Sequence, residues 1–77
     1  MPVNFEIVKP LGIISTSKDE VYTKEINLIS YNGNEPKVDI RKWNRETDTM
    51  LKGIVLTKEE AVVLRQLLEE FEAPEEQ

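Results

Sequence analysis

The 77-residue chain has no cysteine, no histidine and only three glycines. Without cysteine there is no disulfide and no thiolate–zinc staple. Without histidine the commonest general base and the usual zinc ligand are missing too. Gly12, Gly33 and Gly53 stand too far apart to form a glycine-rich phosphate cradle. No apolar run approaches the roughly 20 residues of a membrane span. The opening Met-Pro-Val-Asn-Phe-Glu has neither the basic nor the apolar segment of a secretory signal. An enzyme, a metal or cofactor protein and a membrane protein are therefore not expected, and a cytoplasmic location is. What remains is a small soluble domain, 39% hydrophobic and 32% charged. A chain this short buries only about 60% of its unfolded surface, so self-association is expected to complete its core.

The net charge of −5 is unevenly spread. Residues 1–56 hold eight Lys/Arg and eight Asp/Glu, whereas residues 57–77 hold two Lys/Arg and seven Glu. A neutral body can present a basic face while an acidic end points elsewhere.

The body reads as strand and the end as helix. Phe5 to Thr16 is apolar and β-branched, but Pro10 and Gly12 interrupt it, and a proline inside a strand implies an edge or a bulge. Ser17-Lys18-Asp19-Glu20 is a polar turn. Over residues 22–31, Ile26 and Leu28 share one face and Glu25, Asn27 and Tyr31 the other, with Ile29 breaking the polar side. Asn32-Gly33-Asn34-Glu35-Pro36 is a turn signal. From Lys37 to Trp43, Val38 and Ile40 point one way while Lys37, Asp39, Arg41 and Trp43 point the other. After a polar loop, Met50 to Leu56 forms a fourth strand. In it Lys52 has the inward parity of Ile54 and Leu56, unless a bulge at Gly53 turns it out.

Thr57 and Glu60 fit a capping box. Ala61, Leu64, Leu67, Leu68 and Phe71 then form an apolar stripe that Val62 and Val63 widen. Pro74 stops the helix. The expectation is one α+β domain over 1–77: an antiparallel four-stranded sheet (5–56), one C-terminal helix (57–72) and a disordered acidic tail (73–77). The wide stripe of Leu64, Leu67, Leu68 and Phe71 is the expected homodimer contact.

Glu59, Glu60, Glu69, Glu70 and Glu72 read as a solvated helix face, and Asp39 beside Arg41 as a local ion pair rather than an acid/base dyad. The positive signal is Lys37-Val38-Asp39-Ile40-Arg41-Lys42-Trp43-Asn44-Arg45, four cations against one acid. Arg41 and Trp43 are two apart and emerge on one face. An aromatic beside a guanidinium suits single-stranded nucleic acid, because bases stack at about 1–3 kcal/mol each while cations follow the phosphates. Tyr31 offers a second platform, Lys24 extends the charge, and Lys37 and Asn27 complete the polar face. The same residues also admit a structural reading, with Trp43 as a core anchor held in a cation–π pair and Tyr31 as an ordinary strand-end residue.

Three segments taken together resemble one family: Thr23-Lys24-Glu25-Ile26-Asn27-Leu28-Ile29-Ser30-Tyr31-Asn32-Gly33, then Asp39-Ile40-Arg41-Lys42-Trp43, then Lys52-Gly53-Ile54-Val55-Leu56-Thr57 ahead of a Leu-rich helix. Their order is similar to that of the C-terminal domain of the positive-cofactor-four transcriptional coactivators, in the short bacterial branch. The resemblance implies a strongly curved sheet, a dimer formed through the helices, and single-stranded DNA binding with little sequence preference. It implies phosphate contacts for Arg41 and Lys52, a basic strand residue at Lys24, the base-stacking aromatic at Tyr31 and a further aromatic at Trp43. It also implies that a bulge breaks the inward parity of Lys52. Asn32 and Asn34 stand where the eukaryotic members carry lysines, and no long serine- and lysine-rich segment precedes the core, so coactivation of a eukaryotic polymerase is not expected. The expected partner is single-stranded DNA, on melted DNA in transcription, replication or repair. Single-stranded RNA is the alternative, as is a protein-interaction module using the acidic helix.

Overall fold

The computed structural model describes residues 4–71 and contains β1 (Phe5–Thr16), β2 (Tyr22–Tyr31), β3 (Lys37–Asn44), β4 (Thr49–Leu56) and α1 (Lys58–Phe71). The strands form one antiparallel sheet in the order β1-β2-β3-β4. The expected elements are these, with Thr57 serving as the helix cap. Residue 72, the Pro74 stop and the acidic tail 73–77 lie outside the described residues.

Local chemistry explains each junction. At Asn32-Gly33 both residues take positive φ (54° and 75°), and Asn34 N–H donates to Tyr31 C=O at 2.9 Å. Two consecutive left-handed residues closed by this bond make the tight turn that Asn-Gly favours. In the β1–β2 turn, Asp19 accepts from Ser17 Oγ and Val21 N–H. These bonds, led by the Ser17 hydroxyl, hold its carboxyl below the usual range. Asn44 Oδ1 accepts from Glu46 and Thr47 N–H at the β3–β4 turn. The capping box closes in both directions: Glu60 N–H donates to Thr57 Oγ1 at 3.0 Å and Thr57 N–H to Glu60 Oε1 at 2.9 Å.

β1 is one of the two edge strands and is irregular, with three register shifts against β2, one of them between Pro10 and Gly12. An edge tolerates a residue without an N–H, and bulges increase curvature. The sheet is strongly curved. Tyr31 pairs with Phe5 at one end of β2, and Trp43 pairs with Thr23 at the other. Thr23 and Tyr31 are eight steps apart, roughly 26 Å in a flat strand. Yet the rings of Tyr31 and Trp43 lie 6.4 and 6.1 Å from that of Phe5.

Curvature inverts the simple reading of the alternation. The polar face of β2 and β3 is the more deeply buried, with Thr23, Glu25, Asn27, Ile29, Asp39 and Trp43 all enclosed. The apolar face, with Ile26, Leu28, Val38 and Ile40, is only half-covered. A groove of about 440 Å³ separates α1 from this face, between Leu64 and Leu68 on one wall and Leu11, Ile26 and Val38 on the other. No residue of α1 is buried.

Candidate nucleic-acid interface

Two ionic clusters occupy the concave face. In the first, Arg41 donates Nε to Asp39 Oδ1 and Nη2 to Asp39 Oδ2, both at 2.7 Å. Arg41 Nη1 donates to Leu51 C=O at 2.8 Å, and Tyr31 Oη donates to Asp39 Oδ2 at 2.5 Å. The Asp39 side chain is fully buried and that of Arg41 is 15% exposed. Burial, then the Asp39 hydrogen bond, pushes the Tyr31 phenol up to about 12. The Asp39 hydrogen bond likewise raises the Arg41 guanidinium.

The second cluster centres on a residue that sequence reasoning did not single out, Arg45. Its Nη2 and Nε donate to Glu25 Oε1 and Oε2 at 2.6 and 2.9 Å. Its guanidinium lies 4.1 Å from the Trp43 ring centroid, close enough for a cation–π contact. Thr23 Oγ1 and Asn27 Nδ2 also donate to Glu25. These donors, Arg45 foremost, hold the Glu25 carboxyl down to about 2.

These clusters correct two of the expected surface contacts. Trp43 is 1% exposed, with Arg45 over its ring and Phe5 beside it, so the structure makes it the core anchor and not an open stacking platform. Asn27 is 2% exposed and turned to Glu25. Strong curvature closes the face on which both were read as accessible. Tyr31 and Lys37 remain half-exposed on it. Arg41 forms the local ion pair expected with Asp39, so a phosphate at Arg41 shares a guanidinium already bound twice to a carboxylate.

The exposed cations lie elsewhere. Lys24 pairs directly with Lys42 across β2 and β3. In β4, Gly53 pairs with Arg41 and Met50 with Trp43, so an extra residue is accommodated there and Lys52 lies within the bulge. Lys24, Lys42 and Lys52 therefore form a row across three adjacent strands. All three are exposed, and among the described residues none forms an ion pair. Lys42 was missed because no local pattern marks it; only the register brings it opposite Lys24. Gly53 has a steric role as well: a Cβ there would stand 2.0 Å from Arg41 Cβ and 2.6 Å from Ile40 O.

On α1, Leu67, Leu68 and Phe71 are 60%, 56% and 67% exposed, while Leu64 is half-buried in the groove. No helix among the described residues is long and apolar enough to cross a membrane. Among the same residues no group of three or more acidic, His or Cys side chains is placed to hold a metal.

A curved antiparallel meander with an exposed lysine row and a C-terminal helix is the build of a nucleic-acid-binding domain of the coactivator kind. The chain belongs to the family Transcriptional Coactivator p15 (PC4), whose model matches residues 18–67, from the β1–β2 turn into α1. It is also similar to an uncharacterised protein of Treponema pallidum (strain Nichols), 40% identical over 65 residues that cover 84% of this chain and 75% of the relative.

Proposed function

We propose that the protein binds single-stranded DNA without sequence preference, as a homodimer in the cytoplasm, and serves melted DNA in transcription, replication or repair. It acts by binding alone, with no catalytic step, metal or cofactor. The observation that carries this reading is the family match, which spans three strands and most of the helix. The row Lys24, Lys42, Lys52 supports it as an exposed phosphate track. Tyr31, half-exposed at the sheet end beside Phe5 and on the opposite face from that row, supports it as a separate stacking platform. Dimerisation through α1 is supported by the apolar stripe of Leu67, Leu68 and Phe71, which the chain's own sheet leaves uncovered.

Fluorescence anisotropy with labelled oligo-dT, a duplex of equal length and oligo-U tests this. Oligo-dT should bind tightly at low salt, with log K falling about 0.7 per neutralised phosphate against log salt, and the duplex should respond weakly. A response to oligo-U equal to that of oligo-dT would extend the ligand to RNA. Flat anisotropy with all three would sink the reading and leave the acidic helix as the working surface.

A further inference from the structure

We propose that Lys24 and Lys42 form a dedicated phosphate-binding subsite at the β1–β2 end of the sheet. Its ligand is a backbone phosphodiester of the single strand. This inference rests on the function proposed above and narrows its lysine track to one cleft, in which the sequence marked Lys24 but not Lys42. Three independent features support it.

The two lysines are directly opposed in antiparallel register, an arrangement in which like charges repel. No described acid pairs with either. By contrast, Arg41 and Arg45 are each bound to a buried carboxylate. Among the described strand residues, Lys9, Lys24, Lys37, Lys42 and Lys52 have no ion pair, and of these Lys24 and Lys42 stand directly opposite each other, where two ammonium groups can share one anion. The Lys42 ammonium lies 4.8 Å from the centroid of the Tyr22 ring, a contact that limits its freedom before any ligand arrives.

The lysines border a cleft of about 260 Å³, lined also by Ser15, Thr16, Ser17, Tyr22 and Thr23. Ser17 and Thr23 hydroxyls are engaged with Asp19 and Glu25. Those of Ser15, Thr16 and Tyr22 have no protein partner among the described residues, leaving neutral donors beside the two cations. A phosphodiester offers one negative charge and several acceptor oxygens, which this mixture satisfies.

The test compares the full-length protein with Lys24→Gln, Lys42→Gln and the double variant. Removing the opposed charges should leave thermal stability unchanged or raised. In oligo-dT titrations over a salt series, the double variant should lower the slope of log K by about 0.7, the share of the one phosphate the two lysines hold, and each single variant should weaken binding with a smaller change of slope. A double variant that binds oligo-dT with the wild-type slope overturns the subsite while leaving the proposed function standing. If wild type does not bind oligo-dT at all, the function fails, and inorganic pyrophosphate followed on the Tyr22 ring resonances decides the subsite by itself. Saturable shifts in wild type that vanish in the double variant support it, and their absence in wild type overturns it.

Discussion

Glu25 is a buried carboxylate whose charge is held by Arg45, Thr23 and Asn27, and its folded value of about 2 lies below the ordinary 4.5. A depressed folded value contributes stability that is present above pH 4.5 and lost as pH falls towards 2. The contribution is at most about 3 kcal/mol. Urea midpoints should therefore fall across that window, and Arg45→Ala should lower stability at neutral pH while flattening the fall. Tyr31 titrates in the opposite sense. Its folded value of about 12 exceeds the ordinary 10, so the stability of its neutral form is complete below pH 10 and disappears as pH rises to 12. Phenolate absorbance should show Tyr31 ionising together with unfolding, and Tyr31→Phe should remove that alkaline sensitivity. Trp43→Ala should cost about 3–5 kcal/mol, as expected for truncating a buried aromatic. The ion pair of Asp39 with Arg41 was legible from their spacing on one strand. The Glu25–Arg45 pair was not, because its members lie 20 residues apart and only the folded sheet brings them together.

At the scale of elements, β4 is shaped by one glycine. Ile40 O and Arg41 Cβ leave no room for a side chain at Gly53, and the adjacent bulge frees Leu51 C=O to accept from Arg41. Gly53→Ala should cost about 1–3 kcal/mol in urea unfolding through backbone displacement, and with it loosen the Arg41–Asp39 pair. A neutral result would show that β3 and β4 can separate locally without penalty. The helix start is equally specific. Thr57→Ala removes the acceptor for Glu60 N–H and should cost about 1 kcal/mol. The cap, the Asn-Gly turn and the edge character of a proline-bearing β1 were all readable, because each depends on residues within a few positions of one another.

The whole molecule is thin for its length. A compact chain of 77 residues has a radius of gyration of about 11.5 Å, whereas this one has 14.1 Å, with extents of 47 × 35 × 18 Å. A single curved layer with a helix held at one end leaves Ile54, Val62, Val63, Leu67, Leu68 and Phe71 47% or more exposed. That much uncovered apolar surface on a small chain is the physical case for the proposed dimer. Leu67→Glu should halve the solution mass from dimer to monomer in multi-angle light scattering and leave the Glu25 and Asp39 clusters intact. A dimer that survives the substitution would place the contact away from α1.

The sequence by itself determined the order of strands and helix, the turns, the cap and the segregation of acid to the C-terminal end. These follow from short-range periodicity and local hydrogen bonding, which act between near neighbours. Tertiary structure decided which sheet face is buried, because curvature depends on bulges and strand pairing summed over the whole sheet. It enclosed Trp43 and Asn27, neutralised Arg41 and Arg45 against buried carboxylates, and aligned Lys24, Lys42 and Lys52 across three strands. Period-two patterning says which residues share a face of one strand, but not which residue of the next strand stands opposite. The candidate phosphate track depends on that cross-strand register.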